Sequence, residues 1–279
     1  MKKIFPRLFL FALLPMFIAC DHINEDEQLI EVETAIPGPE AAPDEKPTAT
    51  ARTVRTVLLE DFTGQRCVNC PKGTKIIEQL QDTYEDRFIA VGIYWEPKPI
   101  TNGLANELGT EYYNHWELNY QPVGLINRGG AVNYTDWAKE VREGLGFLSE
   151  IKMELKATLK GDNIEIIVRE ESYANYSGKL QVWVIEDGII ATQLMPDAPD
   201  ENPEWTGGSK ADYVHNHVLR AAVNGPWGED FSIAMDEQKT QTMTQAVDAK
   251  WNTDNLSVVA FVYNDDGVEQ AVKSKVEKK

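Results

Sequence analysis

The feature that most constrains the fold is a Cys-x-x-Cys pair, Cys67 and Cys70, that directly follows an apolar strand. The strand begins at Val57, and a short turn containing Gly64 leads from it to the first cysteine. An amphipathic stretch follows the second cysteine, so the dithiol is predicted to lie at or near the N-terminus of a helix. Unpaired backbone N–H groups and the helix dipole favour a thiolate at that position. The pattern is typical of a redox centre, or of the remains of one.

Around this pair the sequence predicts alternating strands and helices. Apolar side chains recur at helical spacing from Ile76 to Tyr84, and the apolar run from Arg87 to Trp95 is long enough for a buried strand. A strand, a helix and a second strand in that order build a parallel sheet. Further helices are predicted from Ala105 to Leu118 and around Trp137.

The strand predicted from Asn119 to Asn127 has a proline, Pro122, at its entrance. Proline is excluded from most central strand positions because it has no N–H group to donate. A cis Gln121–Pro122 bond, where two segments approach closely, would explain the position.

After Leu148 the pattern changes to a period of two, with a hairpin turn at Lys160 to Asn163. One of the strands that follow, predicted from Val214 to Val223, places His215 and His217 on the same face. Packing or hydrogen bonding at a domain interface is favoured for them over metal binding, because no third ligand is evident nearby. Short strands separated by turn signals suggest an antiparallel sandwich. The other strands are predicted at Leu180 to Ile185, Phe231 to Ala234, Thr242 to Ala249, Leu256 to Tyr263 and Val268 to Val276.

The predicted fold class is therefore α/β plus all-β, with domains at residues 54–148 and 149–279. The segment from Pro196 to Lys210 is rich in Pro, Gly, Asp and Asn and is predicted to be a long loop. Loops of this length are often functional or mobile.

The N-terminal segment has the features of an export signal. Lys2 and Lys3 precede an apolar run that is too short to span a bilayer and that ends at Ala19 and Cys20. The pattern resembles a bacterial lipoprotein signal, which predicts a signal peptide over residues 1–19 and a membrane contact through lipid on Cys20. The alternative is an ordinary signal peptide with an incidental cysteine. Residues 20–53 are acidic and proline-rich and are predicted to form a flexible tether.

Charge and cysteine count limit the chemistry. The net charge of -18 argues against nucleic acid as a partner, because phosphate binding requires clustered Lys and Arg. Of three cysteines, Cys20 is assigned to lipid, which leaves Cys67 and Cys70 only each other as intramolecular partners. A catalytic dithiol, a structural disulfide and half of a metal site remain open for this pair. We predict no metal and no cofactor, because zinc needs about four N or S ligands and no second Cys pair lies close in sequence.

Asp61, Cys67, Cys70 and Pro122 together resemble the thioredoxin superfamily. In that family a buried Asp lies near the dithiol, and a cis-proline packs against the disulfide. The sequence departs from an ordinary thioredoxin at Arg66 and at Val68-Asn69, and the strand from Phe88 to Tyr94 has no Lys to pair with the Asp.

A narrower resemblance is to the Omp28-related outer-membrane lipoproteins of Bacteroidetes. It rests on the segments Leu58 to Pro71, Tyr213 to Arg220, Asn224 to Gly228 and Val259 to Asn264. This resemblance implies a thioredoxin-like domain followed by an immunoglobulin-like β-sandwich. It also implies a location at the outer membrane, facing the periplasm or the cell surface.

Two functions are compatible with these features. The first is thiol–disulfide exchange on exported proteins, with Cys67 as the attacking thiolate, helped by the helix end and Arg66, and Cys70 as the resolving thiol. Asp61 would then accept the proton from Cys70, beside a cis-Pro122. The alternative is a non-enzymatic surface adhesin or binding lipoprotein that uses the thioredoxin-like fold as a scaffold and keeps a structural disulfide.

Overall fold

The computed structural model describes residues 52–101 and 103–278. The predicted signal peptide, Cys20 and nearly all of the predicted tether lie outside the described residues. Residues Ala49–Lys279 form one compact unit. Within the described residues, no helix has the length and apolar character needed to cross a bilayer.

Strands dominate the described part of the chain, with sixteen β-strands and three α-helices. The helices are α1 (Cys70–Tyr84), α2 (Glu107–His115) and α3 (Trp137–Gly144). The strands are β1 (Thr53–Val54), β2 (Val57–Thr63), β3 (Phe88–Tyr94), β4 (Val123–Ile126), β5 (Ala131–Asn133), β6 (Leu148–Ser149), β7 (Ile151–Lys160), β8 (Asn163–Ser172), β9 (Tyr176–Glu186), β10 (Ile189–Leu194), β11 (Ser209–His215), β12 (Val218–Ala222), β13 (Glu229–Ile233), β14 (Gln238–Ala246), β15 (Leu256–Asn264) and β16 (Gly267–Lys278).

Strand β2 lies deep in the structure because alternate side chains enter two different cores. Leu58 and Phe62 pack in one cluster with Trp183 and Phe261 from the C-terminal half of the chain. Residues Val57 and Leu59 face a second cluster, which contains side chains of α1 and α3. A strand buried on both faces carries apolar side chains on each face, and here it also buries the carboxyl groups of Glu60 and Asp61.

A single large sheet joins the two halves of the chain. Its strands follow the order β14-β8-β7-β16-β15-β9-β12-β3-β2-β4-β5, and β13 pairs with β9. Strands β2 and β3 are parallel, as the strand–helix–strand pattern predicts, and β4 is antiparallel to β2. The junction is β12, which pairs antiparallel with β9 and parallel with β3.

The fold is therefore mostly β, with few helices and one mixed sheet that continues across the predicted boundary at residue 148. The continuous sheet does not distinguish the predicted α/β domain from the predicted sandwich that follows it. The division into residues 54–148 and 149–279 stays a prediction.

The strand predicted from Val214 to Val223 is wrong in one respect. The chain breaks there into β11 and β12, because His217 has a positive φ of 46° and interrupts the strand. His215 and His217 therefore do not share a strand face. Strand β10 was not predicted, and it pairs with β11 to form a separate two-stranded hairpin.

Candidate functional site

The Cys-x-x-Cys pair lies in the turn that joins β2 to α1. The backbone N–H of Cys67 donates to the carbonyl of Gly64 at 3.1 Å, and α1 begins at Cys70. Pro71 follows in the first turn of the helix, where backbone N–H groups have no intrahelical acceptor, so the missing N–H of proline costs no hydrogen bond. The two cysteines form a disulfide, with their Cα atoms 5.4 Å apart. Cys67 is partly exposed, whereas Cys70 is only 3% exposed.

Asp61 lies buried on β2, six residues before the first cysteine. Its Oδ1 has no hydrogen-bond partner among the described residues, and burial raises the pKa of the carboxyl to about 8. The residue opposite on β3 is Gly92, so that position offers no cationic partner. Because a buried carboxylate without a cation is costly, the neutral acid is favoured at neutral pH.

Three further titratable side chains lie in the same buried region. The Tyr94 hydroxyl and Nδ1 of His215 are 2.9 Å apart. Burial lowers the pKa of His215 to about 4, so the imidazole is neutral near pH 7. Burial, and then the charge of Asp61, raise the pKa of Tyr94 well above its usual value. The pKa of Tyr213 is raised by burial.

This group joins residues that are far apart in sequence. Tyr213 and His215 come from β11, and they reach the region of Asp61 from the C-terminal half of the chain. The sequence marked His215 as a packing or hydrogen-bonding residue, which agrees with its bond to Tyr94. The sequence did not identify Tyr94 and Tyr213 as members of this group, and no local pattern could have identified them.

Pro122 precedes β4 and is buried, and the Gln121–Pro122 bond is cis. The Gln121 side chain fixes this loop by donating from Nε2 to the carbonyls of Thr63 at 2.8 Å and Trp95 at 3.0 Å. A Cβ added at Gly73 of α1 would lie 3.4 Å from Cβ of Pro122. The structure therefore brings Pro122 beside the early turns of the helix that carries Cys70. Its part in any reaction stays a prediction.

Residues 195–208, which join β10 to β11, pack against the start of α1; we call them the covering segment. Nζ of Lys72 lies 2.8 Å from Oε1 of Glu201 and 5.8 Å from the ring centre of Trp205. Strand β10 is bound to the cysteine turn directly, because Nε2 of Gln193 donates to the carbonyl of Cys67 at 2.9 Å. The sequence predicted this loop but not its docking beside the cysteines.

The charge of Arg66 is partly compensated. Its backbone N–H donates to Oε1 of Glu96 at 2.6 Å, and its Nε lies 3.9 Å from Oε2 of the same carboxylate. The Arg66 side chain is 57% exposed. Glu96 was not recognised in the sequence, and its presence weakens the help that Arg66 would give to a Cys67 thiolate.

This chain is similar to solved structures of two proteins from Porphyromonas gingivalis. HBP35 of Porphyromonas gingivalis aligns over 80% of this chain and 76% of its own, with a TM-score of 0.61 and 18% identity. A domain of the outer membrane lipoprotein Omp28 from the same organism covers 47% of this chain and 91% of its own, with a TM-score of 0.33 and 25% identity. The first likeness shows a shared fold. The search of curated proteins finds no match.

The family model described as "Outer membrane protein Omp28" matches residues 109–279, which is more than half of the chain. The matched residues include Pro122, α3 and all of the C-terminal strands from β7 to β16. This chain belongs to the Omp28 family of outer membrane proteins.

Proposed function

We propose that this Omp28-family protein carries out thiol–disulfide exchange on exported proteins through Cys67 and Cys70. The observation that carries the proposal is the unequal exposure of the two cysteines, since Cys67 is partly exposed and Cys70 is buried. A thiol of another protein reaches only the exposed sulfur, and the buried sulfur is left to act as leaving group or resolving thiol.

The reaction begins when a substrate thiolate attacks Sγ of Cys67. The Cys67–Cys70 bond breaks, a mixed disulfide forms, and Cys70 leaves as a thiolate. Asp61, with its pKa raised to about 8, is mostly protonated at pH 7 and supplies the proton to Cys70. A second substrate thiolate then attacks the mixed disulfide and releases Cys67. The substrate has lost two electrons and the dithiol has gained them, and the reverse sequence reduces a substrate disulfide, with Asp61 accepting the proton from Cys70.

The finer fold assignment belongs to the same proposal. A thioredoxin-like arrangement of residues 54–148 is supported by parallel β2 and β3, antiparallel β4 and the position of Pro122 beside α1. The antiparallel strands from β7 onward support an immunoglobulin-like sandwich in the C-terminal half. The family's place in the outer membrane supports a lipid anchor on Cys20 that faces the periplasm or the cell surface.

A non-enzymatic surface binding protein with a structural disulfide is the second candidate. One observation favours it, namely the covering segment beside the cysteines. Trp205 is only 6% exposed, and Lys72 and Lys75 lie over its ring at 5.8 and 5.5 Å. A segment held in this way narrows the approach to the disulfide.

The two candidates are separated by trapping. Cys70→Ser leaves the attacking Cys67 in place and removes the resolving thiol, so we expect mixed disulfides with exported proteins to accumulate in cells. Cys67→Ser is the matched control and should trap nothing. Absence of adducts from Cys70→Ser, together with a reduction potential below roughly -300 mV and no reduction of insulin, would identify a structural disulfide.

A further inference from the structure

A cleft of about 1010 Å³ lies away from the disulfide, where residues from both halves of the chain meet. Trp116 enters from the end of α2, Trp227 from the loop after β12, and Tyr263 from the end of β15. Arg128, from the turn between β4 and β5, completes the inner wall. The volume reaches the upper end of the range for small-molecule sites, roughly 300–1,000 Å³.

Arg128 is held at the inner wall by a buried ion pair and by aromatic rings. Its Nε donates to Oε1 of Glu60 at 2.6 Å, and both side chains are almost fully buried. The guanidinium carbon lies 4.1 Å from the ring centre of Tyr263 and 4.9 Å from that of Phe261. The charge of Arg128 is thus compensated within the protein, and the group is fixed in orientation.

The inner wall presents hydrogen-bond donors without acceptors. Nη1 and Nη2 of Arg128 are buried and have no partner among the described residues. Nε1 of Trp116 is likewise buried and has no partner among the described residues. Buried donors are normally paired, because an unpaired one loses its bond to water and gains nothing in return. A ligand that enters this wall must therefore bring acceptor atoms.

The rim of the cleft carries carboxylate acceptors, unlike the inner wall, which carries donors. Lys179 and Asp230 form an ion pair at 3.0 Å, so their charges cancel. The carboxylates of Asp265 and Asp266 then make the outer edge of the cleft negative. An anionic ligand is repelled at this edge. A cationic ligand is drawn to the edge but has no acceptor for the donors of the inner wall. A neutral ligand with many hydroxyl groups can accept hydrogen bonds from the inner wall and donate hydrogen bonds to the carboxylates of the rim.

We propose that this cleft binds a neutral oligosaccharide. Sugar hydroxyls accept from the inner donors and donate to Asp265 and Asp266, and the apolar faces of sugar rings pack on the side chains of Trp116, Trp227 and Tyr263. This binding does not depend on the redox chemistry of Cys67 and Cys70, so either proposal can fail without the other.

The test is binding of the full chain to a glycan array that carries neutral, carboxylated and amino glycans. We expect signals from neutral glycans, followed by saturable binding of the strongest neutral glycan in calorimetry and in tryptophan fluorescence. Binding to no glycan, or a preference for carboxylated or amino glycans, overturns the proposal.

Variants then locate the binding. Trp227→Ala should weaken the affinity at least about tenfold, as loss of an aromatic anchor does. Trp251→Ala, which changes a partly exposed tryptophan outside the cleft, should leave it unchanged. Since removal of Trp227 could disturb folding, the exposed pair Asp265→Asn and Asp266→Asn is measured as well, with a severalfold loss expected. Unchanged affinity in the Trp227 variant and in the paired Asp variants would place the binding elsewhere and reject this cleft.

Discussion

Asp61 makes the stability of the protein depend on pH. Its carboxyl has a pKa of about 8 in the folded protein, against about 4 in the unfolded chain, so the folded state holds the proton more tightly. The stabilisation is complete below pH 4 and is lost as the pH rises to 8, at up to about 1.4 kcal/mol per pH unit. Asp61→Asn cannot ionise, and we expect it to unfold with a free energy that falls less between pH 5 and pH 8.

Urea unfolding of both proteins at pH 5, 7 and 9, with the disulfide intact, measures this difference. Glu170, whose pKa burial raises to about 7, titrates in the same range, but it is present in both proteins and cancels in the comparison. Equal pH slopes for the two proteins would mean that Asp61 is solvated.

At the residue scale, the sequence predicts the site residues that lie close together along the chain and misses the contacts that form between distant residues. Cys67, Cys70 and Asp61 lie within ten residues of one another, and Pro122 stands out because proline rarely enters a strand. Gln193, by contrast, bonds to the carbonyl of Cys67 across a sequence separation of 126 residues. Nothing in the residues around Gln193 indicates that contact.

At the scale of elements, we expect the covering segment to limit access to the disulfide, because it packs against the start of α1. Trp205 anchors it to α1 beneath Lys72 and Lys75. Removing this buried side chain loses about 3 kcal/mol of burial and packing, so Trp205→Ala should release the segment. We expect faster cleavage between residues 195 and 208 in limited proteolysis, and a severalfold faster reduction of the disulfide by dithiothreitol.

Glu201→Gln is the control, because it removes only the ion pair with Lys72, in which the glutamate side chain is 57% exposed. Exposed pairs contribute about 0–1 kcal/mol, so proteolysis and reduction should change little. If Trp205→Ala reduces no faster than the unmodified chain, the segment does not shield the disulfide.

Elements with strong periodicity were predictable. The apolar run that becomes β3 and the helical spacing in α1 each identify an element without reference to the rest of the fold. The β10–β11 hairpin was not predictable in this way. Its outer face exposes Ile190 and Val214, which face each other across the pair, so apolar residues do not mark its buried side.

For the whole molecule, we expect residues 49–279 to unfold in one transition. The core that contains Leu58 and Phe62 also contains Trp183, Leu219 and Phe261, so neither half can lose its packing alone. Strand β12 adds hydrogen bonds across the same junction through its pairing with β3 and β9. Far-UV circular dichroism and tryptophan fluorescence should give coincident urea transitions.

Two separated transitions would instead support independent domains at residues 54–148 and 149–279. Calorimetry of the full chain is the complementary measurement, since its enthalpy agrees with the van't Hoff value only for a single cooperative unit.

The contact between β3 and the turn before β12 determines which fragments of the chain can keep the surroundings of the disulfide intact. The N–H of Gly92, directly opposite Asp61, donates to the carbonyl of His217 at 2.8 Å, and Tyr94 is paired to His215. A fragment ending at residue 148 would contain both cysteines and yet leave β3 as an open strand edge and bring water to the carboxyl of Asp61. The buried environment of Asp61 beside the disulfide therefore depends on the C-terminal strands, and a fragment that is to preserve it must include them.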